Sequence, residues 1–137
     1  MAAGYSGKSL TQKLGIRPGS RIAILGPPPR YRSLLTPLPP DVTIVHTLGT
    51  TPLPFIHFFS RTVRELTATF PRLRRAMTDD GMIWISWPKL SSGVRSDLNE
   101  NIVRELGLAH RLVDVKVCAV DDTWSGLKFM IRRGDRR

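Results

Sequence analysis

Cysteine is almost absent from this chain: of 137 residues, Cys118 alone is one. A single thiol closes no internal disulfide, so an apolar core must hold the fold. The position of Cys118 inside the apolar run Val115 to Val120 reads as a small buried hydrophobe. Long apolar runs are absent as well. None approaches the roughly 20 residues needed to cross a bilayer. The start, MAAGYSGKSL, has no charged stretch leading into an apolar one, so no secretion signal is read there. The expectation is a cytoplasmic protein with no membrane partner.

Acidic residues are scarce in the first part of the chain. Residues 1–78 carry eleven Lys and Arg against two acids, Asp41 and Glu65, whereas residues 79–137 carry ten bases against nine acids. The formal charge of +10 is therefore concentrated towards the N-terminal side. Such a field attracts anionic small molecules, acidic proteins or, weakly and nonspecifically, nucleic acid. The bland explanation is solvated charge in an arginine-rich composition, with Arg outnumbering Lys 16 to 5. The end, Arg132-Arg133-Gly134-Asp135-Arg136-Arg137, reads as a basic tail, and its RGD triplet as chance.

Catalytic and metal signatures are missing too. His46, His57 and His110 share no ligand spacing, and one cysteine adds nothing to a zinc site. No Gly-x-Ser-x-Gly elbow occurs. The string Gly7-Lys8-Ser9 lacks the earlier glycine and the preceding strand of a phosphate-binding loop. No metal, cofactor or catalytic residue is expected. His57 alternates with Phe55 and Phe59 and reads as a satisfied core histidine, while His46 stands at the end of the second strand.

What is present is a set of α/β signals. A short helix over Ser9 to Leu14, stopped by Gly15, opens the chain within a lead-in of residues 1–20. One domain follows over 21–133, then the tail 134–137. Its strands are expected at Arg21 to Gly26, Val42 to Leu48, Phe55 to Phe59, Met82 to Trp87, Leu112 to Val120 and Leu127 to Arg132. One or two helical turns fit Arg30 to Leu35. A helix capped by Ser60 runs from Arg61 to about Met77, with Val63, Leu66, Phe70, Leu73 and Met77 on one face. Asp79-Asp80-Gly81 reads as a turn, and a second helix runs from about Ser96 to Leu106. The last two strands form an antiparallel hairpin. The class is α/β, a mostly parallel sheet of about six strands with an antiparallel edge.

Two resemblances follow from particular residues. The third strand, its long helix, LRRAMTDDG, the fourth strand, another helix and the closing hairpin resemble a class I methyltransferase domain over about residues 21–133. The strings GYSGK and KLGI within 4–19, SWPK--SG at 86–93 and VDVKVCAVDDTWSGLKFMIRR at 113–133 resemble a bacterial family carried as domain of unknown function number three-zero-five-two. That family implies a fold and no established activity. The methyltransferase resemblance implies a Gly-rich turn after the first strand, an acid at the end of the second and a helix before the third. Here stand Gly26-Pro27-Pro28-Pro29, Val45-His46-Thr47 and the short Gly49 to Pro54. Prolines lack N–H donors, so S-adenosylmethionine binding in the usual mode is not expected.

The candidate ligand site is therefore placed at the strand tips, where open α/β sheets hold ligands. It comprises Lys89, Ser92, Asp122, Trp124 and Gly26. Of the adjacent carboxylates Asp121 and Asp122, one would hold Lys89 or an arginine and the other, as Asp often does, cap the hairpin turn. Arg61, Arg64, Arg72 and Arg75 share the side of their helix away from the apolar stripe, a basic ridge suited to phosphates. The reading is a non-catalytic binding or regulatory module for an anionic small molecule or protein partner. Two alternatives stay open: an enzyme using S-adenosylmethionine or a nucleotide-type ligand in a non-standard mode, and a nucleic-acid-binding accessory protein.

Overall fold

The structure is a computed structural model that describes residues 8–136. The lead-in strings of residues 1–7 and the last residue of the basic tail lie outside the described residues. Helix α1 (Leu10–Leu14) is short but closed at both ends. The Ser9 side chain accepts from the Gln12 N–H, the Gln12 side chain accepts from the Ser9 N–H, and Gly15 ends the helix at φ 82°. Strand β1 (Arg21–Leu25) follows, then α2 (Tyr31–Leu34), β2 (Thr43–Val45), β3 (Leu53–Phe59) and α3 (Val63–Ala76). Strand β4 (Met77–Pro88), α4 (Glu100–Ala109) and the hairpin β5 (Leu112–Ala119) and β6 (Trp124–Ile131) complete the fold.

The six strands form one sheet in the order β2-β1-β3-β4-β6-β5. Strands β1 to β4 are parallel, and β6 runs antiparallel to both β4 and β5. This is the expected α/β class with its antiparallel edge. Two long helices cover one face. Leu66, Phe70 and Leu73 of α3 and Val103 of α4 meet Ile56, Ile83, Ile85, Leu127 and Phe129, all fully buried or nearly so. Each such side chain contributes about 1.5–3 kcal/mol. That packing holds α3 helical through Pro71, whose missing N–H and ring would otherwise break it. Gly107 of α4 sits directly on the Phe129 ring, where a Cβ would collide.

The opposite face is covered by α1, α2 and the segment after them. Leu14, Tyr31 and Leu35 pack there on Ile22, Ile24, Phe55, Phe59 and Trp84. The Trp84 indole N–H donates to the Leu14 carbonyl at 2.9 Å, and the Thr11 hydroxyl to the Leu35 carbonyl at 2.7 Å.

Several local expectations are corrected. Strand β2 has three residues instead of the seven from Val42 to Leu48. Beyond its last paired residue, the His46 ring Nδ1 donates to the Ile24 carbonyl at 3.2 Å, so a side chain takes a place the backbone ladder would use. Thr62, not Ser60, caps α3, its side chain accepting from the Glu65 N–H. Helix α4 starts at Glu100 behind Asn99, because the Ser96 hydroxyl is engaged with the Arg61 carbonyl at 2.8 Å. Asp79-Asp80-Gly81 is not a free turn but part of β4, in a bulge between the pairs Leu53–Met77 and Phe55–Met82. Strand β6 begins at Trp124, three residues before Leu127. Cys118 is half-buried rather than buried, and desolvation raises its pKa.

Candidate ligand cleft at the strand tips

The carboxyl ends of β1, β3 and β4 and the start of β6 meet at one end of the sheet. After β1 the backbone turns at Gly26, φ 66°, where a Cβ would lie 3.2 Å from the Phe59 carbonyl oxygen. Glycine is required there by conformation and by close approach together. The three prolines that follow carry no N–H, and the Pro28 carbonyl accepts from the Tyr31 N–H at 3.1 Å. Between this loop and β6 lies a cleft of about 350 Å³. Gly26 and the three prolines form one part of its lining, Trp124 another, and Phe59, Ser60, Arg61 and Glu65 the rest.

The floor is aromatic and fixed. The Phe59 ring meets Trp124 edge-on at 5.3 Å and Tyr31 edge-on at 4.8 Å, and stacks on His57 at 4.1 Å. Ser60 is buried; its N–H donates to the Ser86 carbonyl at 3.0 Å and its hydroxyl to Glu65 Oε1 at 2.7 Å. Arg61 is exposed and makes no ion pair among the described residues. The cleft thus offers an aromatic ring, proline rings, one guanidinium and a serine-bound carboxylate. Such a set can bind and orient a small ligand with a flat apolar part and an anionic group.

Beneath the floor runs a buried relay. The Tyr31 hydroxyl lies 2.6 Å from His57 Nδ1, and His57 Nε2 lies 2.7 Å from the Ser86 hydroxyl. All three side chains are fully buried. Burial pushes the Tyr31 phenol up and the His57 imidazole down to about 3, so His57 is neutral at ordinary pH. Either neutral tautomer satisfies both hydroxyls. With no exposed surface and with hydrogen bonds to one another, they are satisfied polar residues of the core.

The sequence-derived candidates are brought together only in part. Trp124 and Gly26 share the cleft. Lys89 is half-buried at the end of β4, and its N–H donates to the Thr123 carbonyl at 2.7 Å, which ties that end to the β5–β6 loop. Asp122 is exposed on that loop, so Lys89 and Asp122 occupy the same end of the sheet. Neither they nor Ser92 contribute to the cleft lining. The Ser92 hydroxyl donates to the Lys89 carbonyl at 2.7 Å and accepts from the Val94 N–H at 3.1 Å, locking its own turn. Asp121 is the turn-capping acid: its Oδ1 accepts from the N–H groups of Thr123 and Trp124. Sequence reasoning missed Ser60, Arg61 and Glu65 as lining; the available signal was a polar cluster straight after the apolar run of β3. Among the described residues no group of three or more His, Cys, Asp or Glu could hold a metal ion, and no helix is long and apolar enough to cross a membrane.

Solved structures share this frame. A SAM-dependent methyltransferase from Aquifex aeolicus matches with a TM-score of 0.64 at 12% identity, over 88% of this chain and 87% of that one. Magnesium protoporphyrin IX methyltransferase from Synechocystis PCC 6803, with bound SAH, matches at 0.59 and 12%, over 90% and 78%. A TehB-like SAM-dependent methyltransferase from Corynebacterium glutamicum matches at 0.57 and 11%, over 95% and 91%. The chain has a methyltransferase-like Rossmann fold. No family model and no curated protein matches it.

The residues at the cleft do not fit S-adenosylmethionine held in the usual mode. The turn after β1 supplies prolines where backbone donors are needed, and the tip of β2 supplies His46, engaged with Ile24, where a carboxylate is needed.

Proposed function

We propose that this protein is a binding or regulatory module whose ligand is an anionic small molecule seated in the cleft beside Gly26. The observation that carries this reading is the joint lining of a 350 Å³ cleft by Arg61 and Trp124. A guanidinium holds a carboxylate or phosphate in bidentate fashion, and an indole face packs a flat apolar group. Lys89 stands at the end of β4 and Asp122 on the adjoining hairpin loop, while Ser92 keeps the turn after Lys89 folded. The strings SWPK--SG and VDVKVCAVDDTWSGLKFMIRR support assignment to the bacterial family of unknown function named above, which brings no activity with it.

The test is a thermal-shift screen of wild type, Arg61→Ala and Trp124→Ala against nucleotides, sugar phosphates and S-adenosyl compounds. A ligand at 100 times its Kd adds about 2.7 kcal/mol, which raises the midpoint by several degrees. The expected result is such a rise with a nucleotide or sugar phosphate, reduced in both variants. Silence across the panel, or a rise indifferent to both substitutions, overturns the reading. A second reading, favoured by the fold of the neighbours and by the cleft's place beside Gly26, is an enzyme holding S-adenosylmethionine in a non-standard mode. A rise with S-adenosylhomocysteine alone selects it.

A further inference from the structure

Most arginines among the described residues form no ion pair. Among the described residues the ion pairs are those of Arg104, with Glu100 at 2.5 Å and Asp114 at 3.0 Å. Arg21, Arg64, Arg72 and Arg75 are all exposed, and none of them forms an ion pair. Asp79 and Asp80 follow α3 closely in the chain, yet neither pairs with an arginine. On α3, Arg64, Arg72 and Arg75 fall within an arc of about 80° at 100° per residue, with Ala68 between them. The stripe is about 16 Å long at 1.5 Å per residue, which matches roughly five base steps of 3.4 Å.

The far end of the stripe opens onto a built recess. Residues 46–52 alone join β2 to β3, with no helix to cover the sheet. On one side of this loop Arg72 and Arg75 line a cavity of about 220 Å³ with Gly49 and Thr50. On the other, Arg21 lines a cavity of about 240 Å³ with Thr47 and Thr51. Guanidinium groups and threonine hydroxyls around a loop are the donors that phosphate oxygens use.

We infer that the α3 stripe and the 46–52 loop bind the phosphodiester backbone of a nucleic acid without reading its bases. Three guanidinium groups spread over about 16 Å suit a linear polyanion better than one compact anion. A protein partner would need an apolar anchor at the centre of the patch, and the stripe offers Ala68 alone. No aromatic side chain lies in the stripe to stack a base. The cleft beside Gly26 is a separate place with separate lining, so this inference stands or falls independently of the ligand proposed there.

The experiment is fluorescence anisotropy of the full chain with a labelled oligouridine RNA of about 15 nucleotides and a mixed-sequence DNA duplex of similar length. For three or four phosphate contacts, affinity for the duplex falls about 40- to 150-fold between 50 and 200 mM salt. R72Q/R75Q is expected to weaken binding at least tenfold at low salt and to reduce the salt slope by about two. R30Q/R32Q removes the same charge near α2, over the opposite face, and is expected to change affinity less than twofold. A preference for RNA or duplex under these conditions names the natural strand. No binding of either probe at 50 mM salt overturns the inference. Equal weakening by R30Q/R32Q overturns it in favour of general charge, and displacement by polyglutamate as effective as by nucleic acid reassigns the surface to an acidic protein.

Discussion

The two faces of the sheet are built on different principles. Under α3 and α4 the contacts are mainly apolar, from Phe70 and Leu73 to Phe129 and Ile131, with the Ser60–Glu65 hydrogen bond confined to the strand tip, and helices of 14 and 10 residues supply the cover. Under α1 and α2 the helices have five and four residues, and the layer includes Thr11, His57 and Ser86, buried and hydrogen-bonded. Short helices cannot supply a wide apolar stripe. Directional bonds from Trp84 to Leu14, Thr11 to Leu35 and Tyr31 to His57 position them instead. The lesson is that a face with little helix can be held in register by a few buried polar contacts, provided each is satisfied.

Three measurements would break or sharpen this contrast. The largest effect belongs to the apolar face: Phe70→Ala should cost about 3–5 kcal/mol in urea unfolding, and a cost near 1 would show that α3 is dispensable to it. Next comes acid. Neutral in the fold, with its pKa near 3 instead of 6.5, His57 gains its proton more readily when the chain unfolds. Its contribution is therefore complete above pH 6.5 and lost progressively as pH falls towards 3, by on the order of 4 kcal/mol in total. The slope of stability between pH 6.5 and 5 should flatten in His57→Gln; an unchanged slope would place the acid sensitivity elsewhere. The smallest effect is Tyr31→Phe, which leaves a buried ring nitrogen without its partner and should cost about 1–3 kcal/mol. A double-mutant cycle with His57→Gln then measures whether the two act as one unit.

How much of this was legible beforehand depends on distance along the chain. The helix ending in LRRAM and the strand MIWISW declared themselves by local period, and the hairpin by its short link. His57 was readable as core from its alternation with Phe55 and Phe59. Its partners were not, because Tyr31 and Ser86 lie 26 and 29 residues away and nothing local ties them to it. Strand β2 was overread because Val42 to Leu48 is apolar enough for a strand; a single side-chain bond from His46 decides where it stops. At the cleft, Gly26 and Trp124 stood out, the one as a turn after a strand, the other in the loop of the hairpin. Ser60, Arg61 and Glu65 looked like a helix beginning, and only the meeting of three distant segments makes them a wall.

Tyr31 joins the cleft to the core twice, through its N–H to the Pro28 carbonyl and through its hydroxyl to His57. The proline loop is thereby settled when the chain folds, not when a ligand arrives. Entry into such a cleft needs no loop closure, so association should proceed in a single kinetic phase whose rate rises linearly with ligand concentration. Freeing that tether, as in Tyr31→Phe, should add a slower, concentration-independent step.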